Sequence, residues 1–280
     1  MDEDSLAKVR RRFAEKIAKQ QKVSDPRLIE AFATVPRERY LGPGPWHVLS
    51  SKPDYVVTTT DNPTAVYVNA AIALDPERNI NNGEPALHIG LISQLAPRPG
   101  DHVVQVGAGG GYYTAIIARL VQPDGRVTAI EYDAELAERA AENLANEPHV
   151  QVIQADGTSY GFDPADGIYV NAGATRPSEI WLDRLKTGGR LIMMLTTDKW
   201  WGQILKVTRL DRGYAATLLG QCGFIPCINA REATSEAALA AALESNDMEQ
   251  VKSLRREAHD ANDTCWMHCD GFCLSRREPS

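Results

Sequence analysis

The run Val103-Val104-Gln105-Val106-Gly107-Ala108-Gly109-Gly110-Gly111-Tyr112-Tyr113-Thr114 constrains the fold of this chain more than any other stretch. Four residues that read as a buried strand meet a turn holding four glycines, and a small-residue helix follows at Ala115-Ile116-Ile117-Ala118. A parallel strand covered on both faces is a continuous apolar run rather than an alternating one. The glycines let the backbone approach a ligand with no Cβ in the way. The helix then opens with its free N–H groups directed at the same crevice. That combination predicts an α/β sheet with a nucleotide-like cofactor at the turn.

The spacing narrows the cofactor. The turn reads Gly107-x-Gly109-x-Gly111, not the G-x-G-x-x-G of dinucleotide enzymes. A second strand, Arg126-Val127-Thr128-Ala129-Ile130, ends in Glu131, placed to accept hydrogen bonds from ribose hydroxyls. A third, Val150-Gln151-Val152-Ile153-Gln154, runs into Ala155-Asp156-Gly157, where a carboxylate meets an adenine amine. A fourth, Gly167-Ile168-Tyr169-Val170, ends in Asn171-Ala172-Gly173-Ala174. This order of strands, glycine turn and acids resembles the class I S-adenosylmethionine-dependent methyltransferases, a Rossmann-like architecture.

Composition agrees with a soluble enzyme. The chain has 280 residues, enough for a large core, and a net charge of −7 that leaves no broad footprint for nucleic acid. No apolar run approaches the ~20 residues that span a bilayer. The start Met1-Asp2-Glu3-Asp4 is acidic and lacks a signal-peptide core. Five cysteines without framework spacing point to reduced thiols and a cytoplasmic setting. Arg10-Arg11-Arg12 reads as a solvated helix face.

Along the chain, residues 5–34 read as mostly helical, with Leu6, Val9, Phe13 and Ile17 on one face. Asp25-Pro26 signals an N-cap and a first-turn proline for a second helix, 27–34. Residues 41–86, rich in Gly, Pro, Asn and Asp, predict an ordered irregular cap. A helix over 87–95 leads to the α/β core, whose fifth strand follows Leu185-Lys186-Thr187-Gly188-Gly189-Arg190. Segments 204–210 and 223–227 fit closing strands. The expected division is an N-terminal cap over the substrate site (1–96), a cofactor-binding core (97–230) and a C-terminal extension (231–280).

A narrower resemblance rests on Val35-Pro36-Arg37-Glu38-Arg39-Tyr40, the irregular cap, the glycine loop, Asp156-Gly157, Val170-Asn171-Ala172, Leu185-Lys186-x-Gly188-Gly189-Arg190-Leu191 and Phe224-Ile225-Pro226, in that order. The pattern, over residues 20–230, resembles the protein-L-isoaspartate O-methyltransferase family. That resemblance implies a doubly wound, mostly parallel sheet of the class I methyltransferase type and S-adenosyl-L-methionine as donor. It also implies methyl transfer to the carboxylate of an isoaspartyl residue in a protein or peptide. Gly107, Gly109, Gly111, Tyr113, Glu131, Asp156, Gly157 and Asn171 are then the cofactor residues, and Asn82, Gly83, Asn171 and Ala172 the substrate residues.

The chain departs from that family at one place. Where the family carries Thr-Ile-Ser-x-Pro, with its serine at the acceptor site, this sequence reads Asn81-Asn82-Gly83-Glu84-Pro85. The hydroxyl is lost and a carboxylate is its neighbour. Glu84 either repels an ionised acceptor or caps the helix beginning at Pro85. Glu84 and His88, four residues apart on a helix start, form a candidate acid/base pair for an acceptor that needs one. Two alternatives therefore stand beside carboxyl methylation: an acceptor that is a small molecule or modified peptide, and a non-catalytic cofactor-binding interaction protein. The oligomeric state has no sequence signal.

The tail carries Cys265, Cys269 and Cys273 at four-residue intervals around His268. That spacing is wrong for a Cys-x2-Cys knuckle. A hairpin turning at Asp270-Gly271, with the cysteines packed as small apolar residues, is expected instead, so no metal is predicted. Helices are expected over 235–244 and 248–259. Trp200 and Trp201, just past the fifth strand, are expected to be buried under the cap.

Overall fold

The computed structural model describes residues 2–50, 54–245 and 248–279. In chain order the regular elements begin with helices α1 (Glu3–Gln20) and α2 (Pro26–Thr34). Short strands β1 (His47–Leu49), β2 (Tyr55–Val57), β3 (Ala73–Asp75) and β4 (Ile80–Asn81) precede α3 (Pro85–Leu95). Then come β5 (His102–Val106), α4 (Tyr112–Val121), β6 (Arg126–Glu131), α5 (Ala134–Asn143) and β7 (Val150–Gln154). The remainder is β8 (Ala165–Ala174), α6 (Glu179–Arg184), β9 (Leu185–Thr196), β10 (Trp201–Arg209), β11 (Tyr214–Gly223), α7 (Ala233–Leu243), β12 (Ser253–Arg255), β13 (Cys265–Cys269) and β14 (Phe272–Ser275). This is the expected α/β class, with parallel strands carrying the core. Among the described residues no helix is long and apolar enough to cross a membrane.

Contacts divide the chain into two units: Met1–Asp101 with Ala108–Gln154, and His102–Gly107 with Ala155–Ser280. In the first, Asp25 caps α2 by accepting from the Arg27 amide at 2.9 Å, with Pro26 in the first turn as its fixed φ favours. Leu6, Phe13 and Ile17 are buried along α1, so the apolar stripe does pack inward. The basic cluster on α1 is not uniformly solvated. Arg10 is buried, donating to the Tyr67 hydroxyl at 2.8 Å and to Glu38 at 3.2 Å, while Arg11 stays exposed against Glu30. The tyrosine hydroxyl and the carboxylate offset the desolvation of its guanidinium. Among the described residues of 41–84 the regular structure is two small antiparallel pairs, β1/β2 and β3/β4, and a 3-10 turn at Pro63–Val66. Strands β6 and β7 run parallel in register from Val127↔Val150 to Glu131↔Gln154, joined through α5.

In the second unit β5 and β9 flank β8 in parallel, and β10, β11, β12, β14 and β13 extend the sheet antiparallel. The second closing strand lies earlier than expected, over 214–223, and of the 223–227 segment Pro226 forms one isolated bridge to Gly173. The helix expected at 235–244 is present as α7. The one expected over 248–259 is a 3-10 turn at Met248–Gln250 followed by strand β12. The hairpin at Asp270-Gly271 forms, with Cys269 opposite Phe272 and Gly271 at φ 68°. Packing alone does not describe all its cysteines. Cys265 and Cys273 gather with His259 and His268, a grouping that the even spacing of the cysteines does not suggest. Trp200, on the turn joining β9 to β10, and Trp201, which opens β10, are 44% and 55% exposed and not buried as expected.

Candidate cofactor and acceptor site

The first unit presents the glycine turn and the acid at the tip of β6. Gly109 and Gly111 sit at φ 56° and 90°, and Gly111 is the N-cap of α4. Glu131 is 8% exposed and braces the turn directly. One carboxylate oxygen accepts from the Gly109 amide at 2.8 Å, the other from the Asp133 amide at 3.1 Å. Burial pushes its pKa up against the pull of those amides. Each carboxylate oxygen retains a lone pair, which suits a vicinal diol.

The second unit presents the remaining expected cofactor residues. Asp156 accepts from the Thr158 amide and hydroxyl at 2.8 and 2.7 Å and from Asn229 Nδ2 at 2.9 Å. Partial burial works to raise its pKa, yet the Thr158 and Asn229 donors outweigh it and hold the acid below its ordinary value. Gly157 is pinned by Trp181, whose indole N–H donates to its carbonyl at 2.7 Å. A Cβ at Gly157 would lie 2.5 Å from Val106 of β5. Asn171 and Ala172 lie within β8 rather than just past a strand end, since β8 runs on to Ala174. Gly107 approaches the Asn171 backbone, and Asn171 Oδ1 is buried with no partner among the described residues. An orphaned buried acceptor costs ~1–3 kcal/mol unless a donor reaches it, so Asn171 fits a ligand amine or hydroxyl.

The acceptor segment has an arrangement that spacing alone does not reveal. Gly83 adopts φ 70°, and a Cβ there would lie 2.1 Å from His88 Nε2. The imidazole therefore occupies the space a side chain at position 83 would need. His88 is 2% exposed and stacks on Tyr113 with ring centroids 3.7 Å apart and planes 12° from parallel. Burial, with the Arg37 charge adding to it, pushes its pKa down to about 3, so the ring is neutral at physiological pH. Glu84 is exposed, and its carboxylate accepts from Asn69 Nδ2. It occupies the N-cap position of α3 without a side-chain cap; Asn69 Oδ1 supplies that cap by accepting from the Ala86 amide at 2.8 Å. The acid is thus exposed, whereas the imidazole four residues on is interior and neutral.

Asn82 accepts from the Ile72 amide at 3.0 Å and from Arg37 at 3.2 Å. Arg37, fully buried, also donates to the carbonyls of Val66, Val68 and Ala70 at 2.7–2.9 Å and of Gly83 at 3.4 Å. Among the described residues it forms no ion pair, so its positive charge remains behind the Asn82-Gly83 turn. Tyr113, expected at the cofactor, is buried on His88, and its hydroxyl has no partner among the described residues. The stack thereby ties the first turn of α4 to α3, beside the Asn82-Gly83 turn. Arg37, Asn69 and Asn229 were not singled out from sequence. Arg37 lies inside the Val-Pro-Arg-Glu motif, which was a usable signal, whereas nothing local marks the other two.

A glycine turn capping a helix, braced by a buried acid at the next strand tip, is the arrangement of a Rossmann-like cofactor site, the class to which S-adenosylmethionine-dependent methyltransferases belong. The family model described as protein-L-isoaspartate(D-aspartate) O-methyltransferase matches residues 9–232. A protein-L-isoaspartate O-methyltransferase of Methanopyrus kandleri is 30% identical over 234 residues, covering 81% of this chain and 94% of its own. One from Rhodopseudomonas palustris is 31% identical over 214 residues, covering 74% and 88%. Of solved structures, a protein-L-isoaspartate O-methyltransferase aligns with TM-score 0.64 at 23% identity, covering 86% of this chain and 71% of that one. Another, from Plasmodium falciparum in complex with S-adenosyl-L-homocysteine, aligns with TM-score 0.63 at 18% identity, covering 78% and 97%. The chain belongs to the protein-L-isoaspartate O-methyltransferase family, and with it to the enzymes that use S-adenosylmethionine as methyl donor.

Proposed function

We propose that this chain methylates a carboxylate of a protein or peptide, and that its acceptor pocket is altered from that of an ordinary isoaspartyl enzyme. Bound S-adenosylmethionine supplies an electrophilic methyl group on a sulfonium. The residues of the chain do the rest: they bind, orient and exclude water. Glu131 takes the ribose hydroxyls, Asp156 the adenine amine, and Asn171 Oδ1 a donor of the cofactor or substrate. The turns at Gly107, Gly109, Gly111 and Gly157 keep the backbone close. A carboxylate acceptor is ionised at neutral pH and needs no general base. That agrees with an exposed Glu84 and a neutral, stacked His88, neither of which is set up to remove a proton. What the acceptor needs is positive potential and hydrogen-bond donors. The buried Arg37 cation behind Asn82-Gly83 supplies the first, and Asn82 Nδ2, buried without a partner among the described residues, is a candidate for the second.

The observation that carries the altered-acceptor reading is His88 filling the side-chain space of Gly83. The family's serine hydroxyl is absent, and the pocket is closed to its simple return. Glu84, being exposed, is screened by water and repels an acceptor only weakly. The deciding measurement is methyl transfer from labelled S-adenosylmethionine to an isoaspartyl peptide and to its aspartyl twin. Weak or absent transfer to the isoaspartyl peptide is expected. Rates ordinary for an enzyme would show that Asn82 and the Gly83 backbone replace the serine.

A further inference from the structure

Residues 233–280 lie beyond the stretch matched to the family, and their most specific chemistry is at the β13/β14 hairpin. His268 and Cys273 are cross-strand partners and so face the same side. Cys265 is three residues before His268, and strict alternation would place it on the opposite face. The register shift between Cys265 and Met267 inserts the extra residue that turns it back. The loop from 256 to 264 returns His259 to the same place, closed by the Cys265 amide donating to the Asn262 carbonyl at 3.0 Å.

The result is a compact set of donors. Cys265 Sγ is 3.6 Å from His259 Nε2 and 4.0 Å from His268 Nδ1, and the ligand atoms of all four residues lie within 4.8 Å of one another. In a tetrahedron with Zn–S of ~2.3 Å and Zn–N of ~2.0–2.1 Å, sulfur and nitrogen are about 3.6 Å apart. His259 Nδ1 lies 2.9 Å from the Glu257 carbonyl. A carbonyl only accepts, so the proton is on Nδ1 and the Nε2 lone pair is directed at the cluster, as in metal-bound histidines. Cys269 pairs with Phe272 beside the turn and is outside the set.

We propose that His259, Cys265, His268 and Cys273 bind one structural zinc ion. Four protein ligands leave no open coordination position, so the site is structural and not catalytic. It clamps the 256–264 loop to the hairpin within the second unit. Binding is redox-neutral: Zn2+, two thiols and two neutral imidazoles give a zinc dithiolate and release two protons.

The test uses the full chain, purified in reductant with neither chelator nor a metal-affinity tag. Elemental analysis is expected to find about one zinc per chain. Cobalt titration of the stripped, reduced protein is expected to give tetrahedral d–d bands with sulfur-to-cobalt charge transfer, bleached by zinc. Cys265→Ser and Cys273→Ser should each abolish that spectrum, and Cys269→Ser should keep it. Should the serine variants fail to fold, alkylation of the wild-type chain decides: zinc should protect Cys265 and Cys273 and leave Cys269 reactive. A folded, reduced chain holding no zinc and giving no thiolate–cobalt spectrum overturns the proposal. So does metal that survives loss of Cys265 but not of Cys269. A Cys265–Cys273 disulfide that, once reduced, takes up no cobalt overturns it as well.

Discussion

The glycine turn before α4 and the glycine turn before α3 look alike: each holds a positive-φ glycine within three residues of a helix start. They are used in opposite ways. At Gly109 the nearest foreign atom to a built Cβ is a Leu74 methyl at 3.0 Å, and Glu131 holds the amide in place, so the turn is braced, and in our proposal it is kept for a ligand. At Gly83 the same freedom is used up by the chain's own imidazole, 2.1 Å from where a Cβ would be. A glycine thus marks a place where backbone must come close to something. Whether that is a ligand or a neighbouring side chain depends on what folds against it.

Glu131→Ala strikes the braced turn and should have the largest effect. Charge-assisted hydrogen bonds are worth ~1.5–3 kcal/mol, so affinity for S-adenosylhomocysteine should fall about 10- to 150-fold by calorimetry. Unchanged affinity would remove Glu131 from the cofactor site and break the comparison at its firmer end.

Gly83→Ser strikes the filled turn. A non-glycine residue at this φ costs ~1–3 kcal/mol, and displacing His88 adds to it, so the melting temperature should drop and isoaspartyl methylation should not rise. Combining it with His88→Ala should cost less than the two changes summed, by ~0.5–3 kcal/mol, because the clash is then gone. Strict additivity would mean that the imidazole does not fill the turn.

The buried imidazole also has a pH signature. Its folded pKa of about 3 is below the unfolded ~6.5, so between these values the unfolded chain binds the extra proton. Stability from this group is therefore complete above pH 6.5 and is lost as pH falls toward 3, at ~1.4 kcal/mol per pH unit. Denaturant melts of the wild type should show that additional slope over His88→Gln. Parallel profiles would mean that His88 is solvated. Glu84→Gln should do least, within ~0.5 kcal/mol of wild-type stability, as expected of an exposed side chain. A many-fold gain of isoaspartyl methylation in that variant would restore charge repulsion as the main obstacle.

Local pattern carried much of this. The helix caps at Asp25 and Pro26, the apolar run of β5, the glycine turn and the acid ending β6 were legible because each depends on a few consecutive residues. The turn of the hairpin at Asp270-Gly271 was legible for the same reason. The helix expected over 248–259 failed because helical periodicity there was outweighed by pairing of Ser253–Arg255 with β11 and β14. Arg10 was misplaced because a basic run on a helix says nothing of a tyrosine and a glutamate arriving from elsewhere.

The sequence by itself determined the α/β class, the family and the donor, since these follow from short-range backbone requirements and ordered motifs. Only the tertiary structure decided what occupies the turn at Gly83, where the Arg37 charge goes and which thiols meet which imidazoles. Those depend on side chains distant in sequence competing for one volume, and on a single inserted residue that reverses the face of a strand. Neither leaves a periodic trace along the chain.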